Sequence, residues 1–205
     1  RFMLVALVTY VVTFLLASLL NIAGGQPFSA VQILWINFLI TAPVGIALGL
    51  DKETPGLMKR QPRPRAASIM TLAVILTVGL VGLFMSIAID LLIVFGKSEY
   101  DSAQIASTMG LVAFSLMLVV AAFESRDEKA SILRVETFDN KTLNITALIE
   151  IALALLISRG GALTSLLGTA ALSTTQWLIG ALPALLLFIL WELGKAIARH
   201  TKRVA

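Results

Sequence analysis

The sequence predicts an all-α membrane protein, a six-helix transmembrane bundle with both termini on the cytoplasmic side. Three observations predict it. Hydrophobic residues make up 58% of the 205 and charged residues only 14%, against roughly 25% charge in soluble domains. The apolar residues fall into runs of about 20, the length that crosses about 30 Å of hydrocarbon. Basic residues crowd into every second loop, the asymmetry by which Lys and Arg are retained on the cytoplasmic side during insertion.

The first segment, 2–22, is an apolar run with a mid-span hydroxyl at Thr13. The second, 30–50, carries Pro43 and Gly45 in mid-membrane, with Asn37 and Thr41 four residues apart on one helical face just before them. A proline there frees a backbone carbonyl and glycine loosens the turn, so a helix break can offer oxygens to a cation. The same residues also describe a kinked helix whose Asn and Thr bond to neighbouring helices while Gly45 and Gly49 allow close approach. The residues alone leave both readings open.

The third segment, 68–95, holds Asp90 toward its outer end, where the carboxylate is expected to reach interfacial water. The fourth, 103–123, holds the hydroxyl of Ser115. The fifth, 143–158, is the weakest and carries Glu150 half way along, the one carboxylate expected deep in the bilayer, where ionisable groups are costly: it reads as a protonated or paired structural glutamate, or as a cation ligand or proton carrier. Apolar sequence resumes after Arg159-Gly160-Gly161, so this segment is either extended or broken toward 172. The sixth, 176–194, ends with Glu192 beside Lys195 and runs into a basic cytoplasmic tail, 195–205. In that tail Lys195, Arg199 and Arg203 are spaced by four, a face expected to snorkel toward headgroups. All six segments form a single transmembrane domain, 1–205.

The loops 51–67 and 124–142, the tail and Arg1 hold 14 of the 16 basic residues, and the alternate loops hold only Lys97 and Arg159. An even number of crossings follows. Gln61-Pro62-Arg63-Pro64-Arg65 cannot sustain a helix and reads as a stiff connector. The net charge of +4 lies in these loops and calls for no nucleic-acid partner. Cysteine is absent, which excludes disulfides and thiolate chemistry. The one histidine, His200, has no HExxH context, and no GxxxxGK[ST] phosphate loop occurs. Asp51-Lys52-Glu53-Thr54 is not an Asp-Lys-Thr-Gly phosphorylation motif, because Glu53 intervenes. Arg1, without an initiator Met or a signal-peptide pattern, predicts a chain that begins inside a longer protein.

Two blocks carry a family resemblance. "QILWIN" through "ALGLD" to "MKRQPRPR" resembles the sixth transmembrane helix and following basic loop of type II P-type ATPases, the calcium-pump-like cation transporters. Thr175-Gln176-Trp177-Leu178, Leu182-Pro183 and Glu192 to Arg199 are similar to the tenth. The six segments would then correspond to helices five to ten. The resemblance implies an ATP-driven pump in which Asn37 is the ion-binding asparagine of a Trp-x-Asn motif, with Thr41, Thr13 and Ser115 at other site positions. It also implies an amino-terminal half with four helices and cytoplasmic domains, a transported cation, a lipid bilayer that is that of the cell membrane, and ATP and Mg2+ bound outside this chain. No cofactor is expected within it.

The sequence departs from the calcium-pump pattern where charge matters. Thr41 stands at an acidic position, no glutamate flanks Thr13, and Ser115 and Leu116 are uncharged. A hard divalent cation wants several anionic oxygens. Glu150 could supply one. Three readings remain: a pump for a less demanding substrate, a pump drawing carboxylates from a fourth helix, or a homologue impaired in transport. An autonomous six-helix protein, secondary transporter or non-catalytic scaffold, is the reading from another class. Among single replacements, Asn37→Ala is ranked above any change at Asp90 for loss of turnover.

Overall fold

The computed structural model describes residues 1–51, 70–126, 131–132 and 138–204, with side chains to 198. Among them the regular elements are all helical. Helix α1 (Phe2–Leu19) ends in a tight turn where Asn21, Ala23, Gly24 and Gly25 all take positive φ. Ser29 then opens the next helix with a capping box, its hydroxyl accepting from Gln32 N while Gln32 Oε1 accepts from Ser29 N. That helix runs as α2 (Ala30–Trp35), a wider π-helical stretch (Ile36–Thr41) and α3 (Ala42–Gly49). Next come α4 (Leu72–Tyr100), capped by Thr71, and α5 (Ala103–Arg126). The last elements are α6 (Lys141–Ile157), capped by Asn140, the short α7 (Ala162–Leu167) and α8 (Thr174–Val204).

Five of these helices, counting Ala30–Gly49 as one, are long and apolar enough to cross a membrane. Helix α6, at 17 residues, spans about 25 Å, short of the hydrocarbon thickness. The chain is broken after it, at Gly160 and Gly161, whose φ values of 89° and 112° are open to glycine but rarely to other residues. Thr169 Oγ1 donates to Ile157 O and Leu172 N to Ser158 O, so the broken end folds back on α6. At one end Asn140 Nδ2 donates to Ala47 O, and at the other Gln32 Nε2 donates to Leu167 O. Helices α6 and α7 therefore cover together the height that α2 and α3 cover as one.

Helix α1 packs along α4, α4 along α5, and α5 along α8, while α6 lies against α5 and α3. Glycines set the closest approaches: a Cβ at Gly82 would lie 2.6 Å from Val8 Cγ1, and one at Gly180 would lie 3.3 Å from Met109 O. Leu111, Phe114, Met117 and Leu118 of α5 are fully buried, whereas Leu7, Val11, Leu80, Leu91, Leu182 and Ile197 face outward. An apolar exterior around a buried central helix suits a protein that the bilayer surrounds.

The loop ends expected at the cytoplasmic surface gather at one end. Arg1, Thr71, Glu124 and Lys195 line the same cavity there. Arg126 holds Asp51 through Nε and Nη2 at 2.6 and 2.9 Å, and Glu192 accepts from Ile132 N at 2.7 Å. Helix α8 carries the residues from 195 onward as a helical continuation of the last crossing, to Val204. One expectation is corrected. Lys195 does not snorkel outward but is buried against Glu124, Nζ to Oε2 2.6 Å, because α5 brings an otherwise unpaired carboxylate opposite it. The side chains of Arg199 and Arg203, and the Pro-rich connector 61–65, lie outside the described residues.

Candidate functional site

Proline in a helix interior removes a donor and clashes with the preceding turn. Here the strain is absorbed before the proline. The stretch Ile36–Thr41 widens to π geometry, with Ala42 N donating to Asn37 O, and the dihedrals stay helical at Thr41 and Ala42. Of the two readings of Pro43 and Gly45, unwinding is not seen at either residue, because both sit inside α3. Gly45 serves close approach, since a Cβ there would fall on the terminal methyl of Met3. A π turn, common at functional sites, also rotates the residues that follow it. Asn37 is exposed with Phe38 and Leu39, while Thr41, four residues on, is buried.

Inside the bundle the polar groups fall into two kinds. Ser115 is fully buried but satisfied, donating to Leu111 O at 2.9 Å, as a hydroxyl bonding back to its own helix does. Thr13, Thr41 and Glu150 are buried with side-chain oxygens that have no hydrogen-bond partner. Buried oxygens of that kind are few in native structures and call for an explanation. Tyr10, which the sequence reading passed over, adds a fourth. Its ring packs edge-on against Phe114, centroids 4.9 Å apart, and its buried hydroxyl faces Thr41 without a bond of good geometry. The signal was one phenol in an otherwise apolar run.

Helical register gives the heights. The contacts Asn140 to Ala47 and Gln32 to Leu167 make α6 antiparallel to α2–α3. Glu150, ten residues after Asn140, then lies level with Asn37, ten before Ala47. Tyr10 of α1, against Phe114 near the middle of α5, brings its hydroxyl toward Thr41 of the π turn, whereas Asn37 is exposed. Glu192, expected to be paired or solvated, is held by the Ile132 amide. Asp90, expected to reach water, is buried within the bundle, 4% exposed. Among the described residues no three His, Cys, Asp or Glu side chains are grouped as a metal site. Asn37 is thus exposed and Asp90 buried among the described residues.

Similarity to other proteins covers most of the chain. It is 29% identical over 182 residues to the calcium-transporting ATPase 1 of Bacillus cereus, 82% of this chain and 20% of that protein. It is 30% identical over 148 residues to the calcium-transporting ATPase 1 of Schizosaccharomyces pombe, 71% of this chain and 16% of that one. The cation-transporting ATPase pma1 of Synechocystis is 26% identical over 173 residues, 79% and 19%. The chain thus spans about a fifth of the length of these relatives. A family profile described as "Cation transporting ATPase, C-terminus" matches residues 25–197, and with that match over most of its length this helical membrane chain belongs to the family of cation-transporting ATPase C-termini.

Proposed function

We propose that the chain works as the rear part of the membrane domain of an ATP-driven cation pump in the cell membrane, scaffolding and lining the ion path. The observation that carries this reading is the set of buried, unpartnered oxygens of Thr13, Thr41 and Glu150 inside a chain of this family. A transported cation supplies the partner these oxygens lack. An amino-terminal part with four helices and cytoplasmic domains would bind ATP and Mg2+ and carry the phosphorylated aspartate. Asn37, exposed here, would face that part, and Ser115 would hold its helix in register beside the path.

The uncharged residues at Thr13, Thr41 and Ser115 favour a cation that needs few carboxylates, and Glu150 would provide the charge. ATP hydrolysis by the full-length protein in proteoliposomes is to be measured against Ca2+, Mn2+, Mg2+, Na+ and K+ in turn. One cation is expected to stimulate turnover. Glu150→Gln and Asn37→Ala should each weaken its apparent affinity roughly tenfold, about 1.4 kcal/mol. Turnover that no cation stimulates would favour a transport-impaired homologue, and ion movement by this chain without ATP would favour an autonomous transporter.

A further inference from the structure

Asp90 is the buried carboxylate for which the proposed ion path has no use. It is 4% exposed, and neither Oδ1 nor Oδ2 has a hydrogen-bond partner. Its height follows from the contacts on either side of it. Gly110 of α5 meets Ile93, a Cβ there lying 3.0 Å from Ile93 Cγ1. Helices α4 and α5 are joined by a tight connection and run antiparallel, so Asp90 lies level with Ala113 and Phe114. Phe114 is 11 residues from the start of α5, about 17 Å. That is mid-bundle, too deep for interfacial water.

The facing helix supplies a matching group. Ser86 Oγ donates to Thr9 O at 2.9 Å, and Thr9 Oγ1 approaches Met85 Sδ at 3.6 Å, so this turn of α4 faces Thr9 of α1. Helices α1 and α4 run parallel, because Val5 lines one cavity with Val74 and Val78 while Thr9 meets Ser86. One turn further along both helices stand Asp90 and Thr13. Thr13 is 1% exposed, and its hydroxyl is also without a partner. Gly82 brings the two helices into close approach two turns before. Among the described residues no charged group faces this level: α1 offers Tyr10 and Thr13, α5 offers Ala113 and Phe114, and the turn Ile22–Gly25 is apolar. On α8, Glu192 and Lys195 belong to the opposite, cytoplasmic end.

We infer that Asp90 and Thr13 form a site for one positive charge, a proton or a monovalent metal cation, in the seam between α1 and α4. An isolated carboxylate at this depth is untenable as an unpaired anion. One carboxylate balances one positive charge, whereas a hard divalent ion wants several anionic oxygens. The site puts a carboxylate on α4, a helix that carries none of the other candidates, and in extending the ion path it rests on the pump reading.

The test is the thermal midpoint of the full-length protein in detergent, without ATP, in N-methylglucamine buffer against Na+, K+ and Li+, and across pH 5–9. Wild type, Asp90→Asn and Thr13→Val are compared. Binding of a positive charge to the folded state raises the midpoint. Acid or one of the metal ions is therefore expected to stabilise wild type relative to Asp90→Asn, with the dependence reduced in Thr13→Val. A difference that follows pH alone identifies the proton, and one that follows a metal ion at fixed pH identifies that ion. A difference between wild type and both variants that is flat against pH and every cation would overturn the site. Because the midpoint needs no turnover, it can stand or fall apart from cation-stimulated ATP hydrolysis.

Discussion

Lys195→Met is expected to destabilise the folded protein by about 3–5 kcal/mol, the cost of removing one partner from a buried ion pair. The Lys195 side chain is 5% exposed and that of Glu124 is 0%. Lys195 Nζ reaches Glu124 Oε2 at 2.6 Å and also donates to Glu124 O at 3.2 Å. Removing the ammonium leaves a carboxylate in the seam between α5 and α8 with no hydrogen bond on either oxygen. Thermal unfolding of the purified variant in detergent measures the loss. The double variant Lys195→Met with Glu124→Gln should recover much of it, because the buried charge is then gone. A single variant as stable as wild type would show that the pair is not closed in the folded protein.

Gly96→Leu is the second large effect. A Cβ at Gly96 would lie 2.9 Å from Ala106 Cα and 3.2 Å from Ala106 Cβ, where α4 turns into α5. The obstacle is backbone, which cannot swing aside as a flexible side chain can. Overpacking of this kind costs about 1–3 kcal/mol. The control lies on the same helix: nothing stands within 4 Å of a Cβ at Gly79. Gly79→Leu should be neutral or slightly stabilising, since leucine favours helix over glycine by most of about 1 kcal/mol. Equal midpoints for the two variants would mean that α4 and α5 do not approach at Gly96.

The segment boundaries were close to legible because hydrophobic runs and caps are local. The segment expected at 103–123 is observed as α5, Ala103–Arg126, and Ser29 with Gln32 forms the capping box that opens α2. The break after the fifth segment was also written locally, in two glycines at positive φ. Which polar side chains look inward was not legible, because it depends on helix rotation. Within the π turn Ile36–Thr41, Asn37 is exposed and Thr41 buried, and four-residue spacing does not say which of the two looks inward. Lys195 and Glu124 are 71 residues apart, and only the packing of α8 on α5 brings them together.

The sequence by itself determined the solvent and the family. An apolar composition in runs of membrane length leaves every backbone group to be satisfied within helices, and the Trp-x-Asn block with its basic loop resembled one family of pumps. Tertiary structure decided the interior. It carried Asp90 from an expected interfacial position to mid-bundle, turned Asn37 outward, and bonded Ser115 back to its own helix. The physical reason is that hydrophobicity sets how deep a segment lies in the bilayer, whereas close contacts such as Gly82 on α1 and Gly96 on α5 set each helix's height and rotation.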